Sequence, residues 1–312
     1  MSATTAPRRA ALGWGTLAAL TWGLTGTFIK LLPSFTTLEV LAIRLLLAMG
    51  VTLVLFVLQP SLFSNSIALI RQPVGVLLAS LMLFYYLFAV RAFQLAPVSD
   101  VALTVGLSPL IALAASAIRG KALALAEILG ASIAFIGLAL FVGPKIQGIS
   151  GDRTLYLTGL FFALMAACVS LGYATLFERY AAHTPALSPI VVSCTTFAIG
   201  AAIITPLIAV SSPTLFVRTV QPETLKIALG LGILSTVVPT FCYSYAAKYL
   251  PPVLTTTLNL LVPVFAAILA FFVIGETMPA LSMVGASLII VGIIVLSSSR
   301  SPSRPSSRPP AK

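Results

Sequence analysis

The chain has 312 residues, of which 59% are hydrophobic and 8% charged, with a formal net charge of +11 and a mean hydropathy of +1.10. So little polar surface cannot cover a soluble globule of this size, which places the chain in a bilayer. Its cations are scattered through loops and a tail with no basic module among them, which argues against a nucleic-acid partner.

Ten apolar stretches of membrane length follow one another: 11 to 31, 37 to 58, 74 to 93, 98 to 118, 122 to 142, 155 to 177, 189 to 210, 225 to 247, 253 to 274 and 279 to 298. A helix crosses the hydrocarbon in about 20 residues, whereas barrel strands are half as long and alternate polar with apolar. Helices also close their backbone hydrogen bonds within each segment, as lipid requires. The expected fold is therefore an all-α integral membrane protein of ten transmembrane helices. The longest connections, near 59 to 73, 143 to 154 and 211 to 224, leave no room for a separate soluble domain.

Arg8 and Arg9 precede the first span as they would an export signal. The apolar stretch is too long for a signal core, and no small-residue cleavage site follows Trp22 and Gly23, so it reads as a retained span. The second span carries Glu39 and Arg44, about 140° apart around a helix and so poor partners for each other. A charge at that depth costs about 2.5 to 3.5 kcal/mol. Arg44 is either a substrate contact or a structural donor to the carbonyls of a neighbouring helix.

In the fourth span, Asp100, Thr104 and Ser108 share one face after Pro97. They either line a water-filled path, or Asp100 favours the helix dipole while the hydroxyls bond back to their own backbone. The ninth span places Thr256, Asn259 and Pro263 on one face, and Pro263 frees a carbonyl near Asn259. A broken, polar helix is how transporters commonly build a binding site, which makes Asn259 the leading polar candidate. Trp22, Tyr85, Tyr86, Tyr173, Tyr243 and Tyr245 suit an organic substrate, and equally suit interface belts or ordinary core.

Cys168, Cys194 and Cys242 read as packing residues, and Lys248 as a snorkelling cation. The single histidine, His183, leaves no two-histidine metal site and no nucleophile with a histidine base, and no phosphate loop occurs. Neither an enzyme nor a cofactor is expected.

The sequence also repeats itself. Pro97 and Pro109 recur 154 residues on as Pro251 and Pro263, and Gly120, Gly130 and Gly137 recur 155 residues on as Gly275, Gly285 and Gly292. Each copy, 11 to 142 and 155 to 298, holds an odd number of spans, so the two insert upside down relative to each other. Eleven Lys and Arg fall on the side of the N-terminus and six on the other, which puts both termini in the cytoplasm, facing inward from the cell (inner) membrane. The Ser/Pro/Arg tail, 299 to 312, should be disordered and rest on anionic headgroups.

In sequence the chain resembles an EamA-like member of the drug/metabolite transporter superfamily across 11 to 298. The resemblance is carried by Trp22 with Gly23, the run Ala42 to Leu45, and the stretch from Tyr85 through Pro109 to Gly137. The second half contributes Tyr243 through Pro251, Pro263, Gly275 with Glu276, and Gly285 with Gly292. Two departures are Ser170 and Tyr173 where a second tryptophan would stand, and Lys121 where Glu276 has its counterpart.

The resemblance implies a central cavity enclosed by the first, third, fourth, sixth, eighth and ninth spans, lined by Trp22, Tyr85, Thr104, Ser108, Tyr173, Tyr243, Thr256 and Asn259. It implies alternating access for a small-molecule substrate, with amino-acid or metabolite efflux first. Uptake of a vitamin, nucleoside-like or sugar-phosphate compound is a second reading, and a membrane enzyme or lipid-handling scaffold a third. Driving energy would come from gradients, with Glu39, Asp100 and Glu127 the candidates for proton coupling and Arg44 for a structural charge. Oligomeric state stays open.

Overall fold

The computed structural model describes residues 5–118, 120, 125–148, 153–181, 187–249, 258–259 and 261–298. Lys121, His183, Pro251, Thr256 and the 299–312 tail lie outside these. Among the described residues every regular element is a helix. In chain order they are α1 Thr5–Lys30, α2 Thr37–Leu58, α3 Pro60–Ile70, α4 Pro73–Leu95, α5 Val98–Val105, α6 Ser108–Ile118, α7 Leu125–Gly148, α8 Arg153–Ala181, α9 Pro189–Ser211, α10 Leu215–Thr219, α11 Pro222–Leu229, a π-helical segment Gly230–Val237, α12 Val238–Tyr249, α13 Leu261–Ile274 and α14 Ala280–Ser298.

Six helical stretches are by themselves long and apolar enough to cross a bilayer: Thr37–Leu58, Pro73–Leu95, Val98–Ala115, Arg153–Phe177, Pro189–Ser211 and Pro222–Ala246. Leu125–Phe141, Leu261–Ile274 and Ala280–Gly292 are shorter apolar helices on three other predicted spans, and α1 covers the first. Large apolar side chains face outward along them, with Val210 86% and Phe272 79% exposed. Such a surface is stable only against lipid.

Local sequence explains how the elements start and break. A capping box opens α2: the Thr36 hydroxyl accepts from the Glu39 N–H at 3.3 Å, and the Glu39 carboxylate accepts from the Thr36 N–H at 2.8 Å. The fourth span, which Pro109 interrupts, breaks at Gly106 and Leu107 into α5 and α6. Pro109 has no N–H to offer the Val105 carbonyl. The Ser108 hydroxyl donates to that oxygen instead, at 2.8 Å.

The eighth span was expected to be continuous, and it carries the π-helical segment. There the Thr236 hydroxyl reaches back five residues to the Leu231 carbonyl at 2.7 Å. Pro239 leaves the Ser235 carbonyl without its helical donor, and the Thr25 hydroxyl of α1 approaches it at 3.4 Å.

The chain divides into two compact units, Met1–Ile111 with Gly148–Met278, and Ala112–Gln147 with Pro279–Lys312. In the larger unit α4 packs along α8, α1 against α12 and α13, and α2 against α9 and the π-helical segment.

In the smaller unit α7 and α14 run antiparallel. A Cβ on Gly137 would come within 2.7 Å of the Gly285 carbonyl, and one on Gly292 within 2.6 Å of the Gly130 carbonyl. Backbones this close exclude any side chain, and close approach at small residues is a main source of helix association in lipid. Gly285 is the repeat counterpart of Gly130, and Gly292 of Gly137, so the two contacts are each other's image. Ser282 adds a hydrogen bond to the Phe141 carbonyl at 2.9 Å. The two glycines of positive φ, Gly120 at 72° and Gly275 at 68°, are also repeat counterparts.

Candidate functional site

Inside the larger unit, α1, α2, α4, α8, α12 and residues 258–259 bring together an aromatic run with a polar group at each end. Trp22 on α1 packs against Tyr243 on α12, ring centroids 5.4 Å apart at 50°. The Asn259 side chain lies near the Tyr243 hydroxyl. Tyr173 on α8 lies within electrostatic reach of both Tyr243 and Tyr86. Tyr86 touches Tyr85 at 5.7 Å and carries the Arg44 guanidinium over its ring at 4.2 Å. Trp22, Tyr85, Tyr173, Tyr243 and Asn259 are only half-buried, whereas Tyr86 and Arg44 are buried.

These positions result from helix packing rather than from any local motif. Gly23 sets α1 close to Phe265 and Ala266 of α13, while Gly200 on α9 admits Leu45 of α2 and Leu83 of α4. Rings from four helices then converge, with hydroxyls, an indole and an amide among apolar faces. Such a surface can hold the hydrocarbon part of an organic solute and hydrogen-bond its polar end.

Of the sequence candidates, Trp22, Tyr85, Tyr173, Tyr243 and Asn259 belong to this run. Thr104 and Ser108 do not extend it with free hydroxyls. Thr104 is buried and donates to the Asp100 carbonyl at 2.7 Å, and Ser108 donates to Val105 as described above. Thr256 lies outside the described residues.

The carboxylates sit elsewhere. Asp100 is fully buried, accepting from the Tyr156 hydroxyl at 2.9 Å, and it lies 3.0 Å from the Ser99 hydroxyl, whose one hydrogen it shares with Glu276. Glu39 pairs with Arg218 at 2.8 Å. Arg218 also donates to the Ser34 carbonyl at 2.7 Å and covers the Phe35 ring at 4.2 Å. Glu276, placed by Gly275, accepts from the Val98 and Ser99 N–H groups at 2.8 and 3.0 Å and from the Ser99 hydroxyl at 2.7 Å. It therefore satisfies the first turn of α5 as an N-terminal carboxylate should.

These contacts cluster near the α1–α2 connection. A cleft of about 750 Å³ lies there too, lined by Lys30, Thr37, Arg91 and Gln94 among others. The sequence reading missed Arg218 and Tyr156. Arg218 signals itself only as a cation in a loop, and Tyr156 as one more ring at a span end.

The EamA-like transporter family model matches residues 9–143 and again 157–298. An uncharacterized transporter of Archaeoglobus fulgidus is 24% identical over 66% of this chain and 69% of its own length. The uncharacterized transporter YwfM of Bacillus subtilis is 26% identical over 90% and 91%. A probable terminal-alkyne amino-acid exporter of Streptantibioticus cattleyicolor is 25% identical over 64% of each chain. One solved crystal structure aligns with a TM-score of 0.64 at 20% identity, covering 94% of this chain and 98% of its own, a likeness of fold alone.

Proposed function

The chain belongs to the EamA-like transporter family, and we propose that it is a secondary active or facilitative carrier of amino-acid-like metabolites, working chiefly in efflux. It is a membrane transporter of small molecules and not an enzyme. In this reading the two repeats, 11–142 and 155–298, sit with opposite polarity in the inner membrane with both termini cytoplasmic, and rock about the aromatic run.

The observation that carries the proposal is the joining of Trp22, Tyr243, Asn259, Tyr173 and Tyr86 across the bundle. Half-buried rings with an amide at one end match a small amphipathic solute better than an ion or a lipid chain. The probable amino-acid exporter among the relatives points the same way. A phosphate-bearing solute is the second reading, favoured by Lys30 and Arg91 on the wall of the cleft.

Proteoliposomes loaded with a mixed set of apolar L-amino acids should exchange them for external label. Asn259→Ala should raise the half-saturating concentration about five- to tenfold, the loss of one hydrogen bond of about 1 kcal/mol. Absence of exchange by wild-type protein, with sugar phosphates exchanged instead and Arg91→Glu abolishing that, would establish the second reading.

A further inference from the structure

We propose that Arg44 is the anion anchor of this aromatic run, holding the carboxylate of the transported solute. The proposal rests on the transporter reading above and extends it to a ligand group.

Arg44 is 2% exposed, and its Nε is buried with no hydrogen-bond partner. Among the described residues its guanidinium makes no ion pair; its close neighbours are the Tyr86 ring and Tyr85. Four carboxylates of the same unit are bound elsewhere. Glu39 holds Arg218, Asp100 holds Tyr156, Glu223 holds Lys226, and Glu276 holds the start of α5.

Burying a guanidinium is strongly unfavourable unless its donors are satisfied, and one ring face offsets only part of that cost. Arginine presents five N–H donors in a planar fork matched to a carboxylate. A structural arginine would direct that fork at carbonyls or a fixed acid. Arg44 directs it at none among the described residues, and it stands at one end of the run from Tyr86 through Tyr173 and Tyr243 to Trp22 and Asn259.

The two ends of that run differ in kind. One is cationic, and the other is a neutral amide beside two electron-rich ring faces, which attract an ammonium group. A zwitterion with an apolar body fits in one direction only, with its carboxylate on Arg44.

Counterflow into proteoliposomes with matched pairs tests this: L-phenylalanine against L-phenylalaninamide, and L-leucine against L-leucinamide. In wild-type protein the acid should compete about tenfold or more better than its amide, the discrimination expected of a charge-assisted hydrogen bond. Arg44→Gln should bring each pair to within about twofold, and Arg44→Lys should keep only part of the preference, since the charge remains while the planar fork stacked on Tyr86 is lost.

Equal competition by acid and amide in wild-type protein that transports both overturns the anchor and leaves the transporter reading standing. So does an undiminished preference in Arg44→Gln. Failure of every pair to exchange overturns both. If Arg44→Gln does not fold, thermal shift of the wild-type protein decides, because stabilisation grows with ligand concentration over Kd: a shift with the acid alone supports the anchor, and equal shifts overturn it.

Discussion

Glu39 and Arg218 stand 179 positions apart and meet at 2.8 Å. Glu39 was legible as a charge that cannot pair with Arg44, because helix geometry alone separates the two. Its true partner was not legible, since nothing local to Arg218 selects one carboxylate over another. The pair lies at the bundle end, with the Arg218 side chain 36% exposed and the Glu39 side chain 4%, so solvent screening limits its worth to about 1 kcal/mol. Glu39→Gln keeps an acceptor for the Thr36 N–H and removes the ion pair alone. Thermal unfolding in detergent should show Arg218→Gln losing more than Glu39→Gln, since it also gives up Ser34 and Phe35, and the double variant losing no more than Arg218→Gln alone. Additive losses would mean that the two residues act independently. Trp22, Tyr173, Tyr243 and Asn259 were readable as candidates because ring and amide side chains are unusual at depth. Their convergence comes from helix packing, which a linear pattern does not encode.

The helical elements were legible to different degrees. The span at 37 to 58 needed only its apolar length, and the Thr36 and Glu39 capping box fixes where it starts. Pro109 signalled the interruption between α5 and α6. The π-helical segment at Gly230–Val237 was invisible, because a fully apolar stretch shows no period by which α and π geometry differ. The helices α3 and α10 lie in stretches read as connections, too short to register by membrane length.

At Gly275 a single residue decides how an element ends. Its φ of 68° is one that L side chains rarely adopt, and it turns Glu276 onto the first N–H groups of α5. Gly275→Ala should cost about 1 to 2 kcal/mol, read as a lowered unfolding midpoint. Gly50→Ala, inside α2 where nothing lies within 4 Å of the added Cβ, should cost nothing measurable. Equal effects would show that backbone conformation is not the cause.

Over the whole molecule the duplication was the most legible feature, because proline and glycine mark backbone requirements that helix packing preserves. Opposite polarity of the halves has a direct check. With Cys168, Cys194 and Cys242 replaced, Ser64→Cys and Gln221→Cys, both exposed positions, should react with an impermeant maleimide from opposite sides of the membrane. Labelling from one side would leave the rocking mechanism without its geometry. The crosswise pairing of Gly137 with Gly285 and Gly130 with Gly292 carries a consequence for how such a protein can move. When two halves trade conformations, any contact without a twin must be broken and rebuilt on the far side. Two glycine contacts that map onto each other under the swap have nothing to rebuild. Under the proposed exchange of the two halves these two glycine contacts become each other, so bulk introduced at either should weaken the protein without favouring one opening.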